Sequence, residues 1–190
     1  MTVHLTRHKF TVEEYHRMAE AGILSEDDRV ELIEGEIVEM APIGSRHAAT
    51  VKRLLALLLP VQVDGKGILS IQDPVRLAPD SEPQPDVALL KPRPDFYASG
   101  HPGPEDVLLL VEVAETTAGE DRAVKVPLYG RHGVPEVWLV DLSAEVVEVY
   151  REPSSAGYRQ VRRAGRGEVL TPLRVPAVTV PVEAILGPEA

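Results

Sequence analysis

Val107-Leu108-Leu109-Leu110-Val111-Glu112-Val113-Ala114 is a continuous apolar run broken by a single carboxylate. Unbroken Val and Leu, rather than alternation, is the pattern of a strand covered on both faces of a sheet. Glu112 then sits inside a core strand, where an ionised carboxylate costs several kcal/mol unless a cation or a set of hydrogen bonds compensates it. A second acid, Asp86, opens the short apolar stretch Val87-Ala88-Leu89-Leu90. Two acids at the ends of neighbouring strands are the donor set of a divalent-cation site.

Working outward, Thr117-Ala118-Gly119-Glu120 reads as a capping box, and in the helix that follows Asp121, Lys125 and Tyr129 form one polar stripe at i, i+4 and i+8. Pro127 is expected to kink that helix. Glu136-Val137-Trp138-Leu139-Val140-Asp141-Leu142 reads as a further buried strand. Upstream, Ser45 is the expected N-cap of a helix that runs through Leu59 and stops at Pro60, with His47, Val51, Leu54 and Leu58 on its apolar face. His47 therefore faces the sheet. Alternation around Glu34-Gly35 predicts a hairpin whose first arm puts Glu31 on the same face as Ile33, a mixed position that can aim a carboxylate into a site.

Toward the N-terminus, Thr11-Val12-Glu13-Glu14 caps a helix with Tyr15, Met18 and Ala19 as its buried stripe. Strand pieces are expected at 68–72 and 75–77. The proline-rich stretch from Lys91 to Asp106 is long enough to be a lid or a mobile loop. Beyond the core, segments from Glu145, from Gly157 and at 178–181 read as further strands. Strands alternating with helices predict an α/β fold: one domain over residues 1–190, with a mixed central sheet flanked by the helices of His47 and Lys125 and hairpins added at both ends.

The 190 residues carry a net charge of −10 and no cysteine, so any metal is held by oxygen or imidazole. The absence of asparagine, the excess of Arg over Lys and the 17 prolines hint at a thermophile. No apolar run approaches the length of a membrane span, and a soluble, cytoplasmic protein is expected. The acidic balance speaks against a simple nucleic-acid-binding module. Six arginines between Arg151 and Arg174 make that one segment basic, as the solvated face of a hairpin or a contact surface. No Gly-x-Ser-x-Gly elbow and no phosphate-binding loop is present, which argues against a serine hydrolase and a nucleoside-triphosphatase.

Pro85-Asp86 followed by Glu112-Val113-Ala114 on a buried strand resembles the PD-(D/E)XK nuclease core. Taken with Glu31-Leu32-Ile33-Glu34-Gly35, His47, Asp121 with Lys125 and Tyr129, and the Gly133 to Asp141 segment, the order is similar to the Uma family of small bacterial proteins described as restriction endonucleases. The resemblance spans roughly Thr11 to Tyr150. It implies a metal-dependent endonuclease cutting DNA, in which Asp86, Glu112 and the Val113 carbonyl hold Mg²⁺ or Mn²⁺. It further implies that Lys125 orients the attacking water, that Glu31 completes the metal shell directly or through water, and that His47 positions phosphate. The chain departs from the superfamily at Ala114, where a lysine is usual, and the family is understood to supply that lysine from the next helix, here Lys125. Two other functions stay open: a non-catalytic nuclease-fold binding protein, and a hydrolase of a small phosphodiester. Val175, Val178, Val180 and Ile185 read as an exposed apolar tail, from which a homodimer is expected.

Overall fold

The structure, a computed structural model, describes residues 7–25 and 27–188. Helix α1 (Val12–Glu20) begins with the expected capping box: Thr11 accepts from the Glu14 backbone, and the Glu14 carboxylate accepts from the Thr11 backbone. Its inner face differs from the expected stripe. Val12 is buried, Tyr15 and Met18 are half-buried, and Ala19 is exposed. The helix is pinned at its start, where the Val12 N–H donates to the Pro79 carbonyl, so its N-terminal end faces the protein most closely.

Strands β1 (Val30–Ile33) and β2 (Glu36–Glu39) pair antiparallel around Glu34 and Gly35. Both turn residues have positive φ, 47° and 77°, as a two-residue hairpin that matches strand twist requires. At Gly35 a side chain is excluded as well, since a Cβ would lie 2.7 Å from that of Lys9.

Helix α2 (Ser45–Val63) starts one residue earlier than expected, with Gly44 in the N-cap position, and it runs through Pro60 instead of stopping there. Proline removes the hydrogen bond to the Ala56 carbonyl, but Ala56 and Pro60 are exposed, so water can satisfy that group. Val61 is buried one residue later and holds the last turn against the core.

The central sheet is built from β3 (Ile68–Ser70), β4 (Val87–Leu90), β5 (Val107–Ala114), β6 (Glu136–Asp141), β7 (Val146–Ser154) and β8 (Gly157–Ala164), in that spatial order. Only β5 and β6 run parallel, so the sheet is mixed. Their crossover is helical: α3 (Ala118–Ala123) and α4 (Lys125–Arg131). The break falls at Val124 because Pro127 cannot bond back to the Ala123 carbonyl and its ring crowds that group. Residues 75–77 form no strand. Two short strands, β9 (Val169–Leu170) and β10 (Val180–Pro181), make a separate pair before α5 (Val182–Leu186).

Successive residues of β5 point to opposite faces, and each face is covered. Val111 and Val113 pack with Trp138, Leu54, Leu58 and Ile185 beneath α2 and α5. Leu110 and Ala114 pack with Leu139, Val126, Leu128 and Tyr129 beneath α3 and α4. Glu112 shares the second face. The β4 to β5 connection leaves from Leu90 and returns at Val107, at the end of the sheet away from Asp86. Residues 91–106 are therefore no lid over the acids.

The tail is not exposed. Val175, Val180 and Ile185 are buried within their own chain, and Val178 is packed against the core, so the apolar surface from which a homodimer was expected is covered internally. Four of the six arginines from Arg151 onward are ion-paired, with Glu136, Glu168, Glu148 and Glu145. No helix among the described residues is long and apolar enough to cross a membrane.

Candidate functional site

Where β4 begins and β5 ends, the open end of the β1–β2 hairpin and the start of α3 enclose a cavity of about 880 Å³. Glu31, His47, Asp86, Glu112, Val113 and Lys125 all line it. The residues expected from sequence as one site are thus brought together from four elements, β1, α2, β5 and α4, and the turn before β4.

Asp86 is nearly buried and fully engaged. Its Oδ2 accepts from the Val113 backbone N–H at 2.8 Å and contacts His47 Nε2 at 3.0 Å, while Oδ1 accepts from Gln72 Nε2 at 3.1 Å. Burial works against its charge, but His47 and these donors outweigh that and hold its carboxyl below the usual range. His47 is raised in return, chiefly by its hydrogen bond to Asp86. Its other ring nitrogen, Nδ1, is buried without a hydrogen-bond partner.

Lys125 enters from the first turn of α4, and its ammonium lies 3.0 Å from Glu31 Oε2 and 3.4 Å from Glu112 Oε1. Burial alone would lower its pKa. The surrounding acids Glu112, Glu31 and Asp121 reverse this and keep Lys125 charged. Glu31 also accepts from the Gln84 backbone N–H at 3.0 Å. Glu112 accepts from Tyr129 Oη at 2.6 Å, a contact buried on both sides. Burial pushes the Glu112 carboxyl up to about 8; Lys125 opposes this, and Asp86 and Asp121 add to it. Asp121 is raised as well, first by burial, although Thr117 donates to it at 3.1 Å.

One lysine and one histidine therefore face four recessed carboxylates, and two of those carboxyls resist ionisation. Ionising all four would leave a local excess of negative charge. Among the described residues no group of three or more His, Asp or Glu side chains is placed to hold a metal ion.

The expected stripe of Asp121, Lys125 and Tyr129 does not lie on the protein surface. The break at Val124 turns α4 toward β5, so Lys125 and Tyr129 reach Glu112 while Asp121 stays on α3 at the cavity wall. Sequence reasoning does not reach Gln72 and Gln84. Gln84 stands two residues before Asp86, a weak hint, and Gln72 gives no signal, since it contacts Asp86 only through the antiparallel pairing of β3 and β4.

The family described as "Uma2: Putative restriction endonuclease" matches residues 12–183. No curated protein matches the chain. Among solved structures, the fold is shared with a putative nuclease belonging to DUF820 from Anabaena variabilis ATCC 29413, at a TM-score of 0.71 and 16% identity, covering 93% of this chain and 97% of that one. With most of its length matched and the same mixed sheet beneath the match, the chain belongs to the Uma2 family of restriction-endonuclease-like proteins.

Proposed function

We propose that this protein, one domain over residues 1–190, hydrolyses phosphodiester bonds of DNA with a divalent metal ion. The observation that carries this reading is the convergence of Glu31, Asp86, Glu112 and Lys125 on one cavity. The donor set fits Mg²⁺ or Mn²⁺: these ions prefer oxygen, keep several waters and need only one or two carboxylates, so a complete protein cage is not required. The raised carboxyls of Glu112 and Asp121 support it further, because a bound cation would favour their ionised form. Asp86, Glu112 and the Val113 carbonyl would hold the ion. When bound, it supplies an acidified water and neutralises charge on the scissile phosphate.

The chain's own residues do the rest. Lys125, kept protonated by its acidic neighbours, takes the place of the lysine absent at Ala114 and orients the attacking water or offsets charge on the pentavalent phosphorus. Glu31 fixes Lys125 from the far side. Tyr129 holds Glu112 Oε1 in one orientation. His47, held by Asp86 through Nε2 and raised by that contact, adds positive charge beside the seated phosphate. The test is a calorimetric Mn²⁺ titration paired with cleavage of bis(p-nitrophenyl) phosphate and of DNA, on the wild type and on Lys125→Met. Mn²⁺ binding with cleavage lost in the variant is expected. Binding without cleavage in the wild type would replace this reading by a non-catalytic binding protein.

A further inference from the structure

Resting on the hydrolytic reading above and narrowing its substrate from DNA at large, the geometry points to a single phosphodiester joining two nucleosides, a substrate of dinucleotide size, rather than a duplex. Three observations carry this.

The groups that would meet the phosphate are recessed: the Lys125, His47 and Asp86 side chains are 12%, 14% and 11% exposed. A phosphate must enter the cavity to reach them. The volume, about 880 Å³, lies within the range of small-molecule sites, roughly 300–1,000 Å³.

The walls repel a polyanion. Nine acids line the cavity against three Lys or Arg residues and His47. Lys9 is already neutralised by Glu36 at 2.8 Å, and Lys125 by the floor carboxylates. At the mouth, Glu39, Glu115 and Glu120 have no ion-pair partner among the described residues, which leaves Arg29 as their one opposing cation in the lining. Duplex DNA carries a charge about every 1.7 Å of its axis. Seating one of its phosphates on the floor would press the neighbouring phosphates against these glutamates. A dinucleotide has no neighbouring phosphates, so the floor cations and the bound metal act on its only charge.

The mouth also offers uncharged surface. Val38, Ile43 and Val124 are 38%, 42% and 44% exposed, and all three line the cavity. They come from β2, the segment before α2 and the break between α3 and α4, so they stand on two sides of the opening. Nucleosides flanking a seated phosphate would rest on them. Two of the three arginines of β8, Arg162 and Arg163, are paired with Glu168 and Glu148, so β8 offers a polymer no row of free cations as an alternative groove.

The experiment separates binding from cleavage. Calorimetry with Ca²⁺ in place of Mn²⁺ measures affinity for thymidylyl-thymidine and for a duplex oligonucleotide, and cleavage of both is followed with Mn²⁺ at matched concentrations of phosphodiester. The dinucleotide is expected to bind and to be cut about tenfold or more better than the duplex. Raising salt is expected to improve duplex binding by screening the mouth, the reverse of the usual slope. In Glu39→Lys/Glu120→Lys, duplex binding is expected to rise while the dinucleotide keeps most of its affinity. Duplex bound as well as the dinucleotide, with affinity falling as salt rises, overturns the inference. If neither is cut but the dinucleotide binds preferentially, the hydrolytic reading fails and the substrate-size inference stands.

Discussion

Replacing Glu112 by Gln sets two opposed effects against each other, and the structure says which wins. Glu112 is 3% exposed, and its carboxyl is raised from 4.5 to about 8, first by burial. A group raised in the folded state contributes stability that is fully present below its unfolded value and is lost as pH climbs through the folded one. The wild type therefore loses stability between about pH 4.5 and 8 at this residue. At 1.36 kcal/mol per pH unit that loss is bounded at roughly 5 kcal/mol. Against it stands the loss of one carboxylate facing Lys125. That loss is partial, because Glu31 remains 3.0 Å from the ammonium and Tyr129 can still donate to the Gln side-chain oxygen. The value of about 8 already includes the Lys125 attraction, and halving the bound for relaxation of the site around the charge leaves about 2 kcal/mol in favour of the variant. Urea unfolding with a chelator present should thus show Glu112→Gln about equal to wild type at pH 5 and more stable by about 2 kcal/mol at pH 8.5. Calorimetry should show its Mn²⁺ binding lost. A variant less stable than wild type at pH 8.5 would mean that the Glu112–Lys125 pair is a net stabiliser and that the acid serves structure.

Lys125→Met leaves Glu31 and Glu112 with no cation; it should cost about 3 kcal/mol in urea melts at pH 8, less at pH 5, with part of the loss restored by Mn²⁺ through mass action. Arg151→Ala strips the guanidinium from the fully buried Glu136, which would keep only the Trp138 indole and the Leu173 backbone as donors; a loss of about 3 kcal/mol with unchanged Mn²⁺ affinity is expected, and altered Mn²⁺ affinity would show that the pair reaches the cavity. Gly130→Ala puts a Cβ 2.5 Å from the Gly157 backbone, where α4 meets β8; a lower melting temperature, by about 1–3 kcal/mol in stability, should follow, and a neutral result would mean that the helix can shift.

The sheet was legible in the sequence because burial on both faces leaves a one-dimensional mark. The apolar runs at 87–90, 107–111 and 137–140 can be satisfied only between two covering layers, and Glu112 stands out against them by its charge. Hairpin chemistry at Glu34-Gly35 and the capping box at Thr11 were legible for the same reason, since backbone geometry there dictates residue type. Helix ends were less so: whether α2 stops at Pro60 depends on whether the freed carbonyl meets water, and that is decided by how the helix lies on the sheet. The tail's valines read as exposed because nothing local says what will cover them; the core beneath α2 and α5 does so from far away in sequence. At the site, sequence could nominate Asp86, Glu112, Lys125, Glu31 and His47 singly. Their charges, the Gln72 and Gln84 contacts and the sign of each pKa shift arise only when four elements and the turn before β4 bring them within hydrogen-bond reach, because Coulomb and desolvation energies depend on distances and burial that no spacing along the chain records.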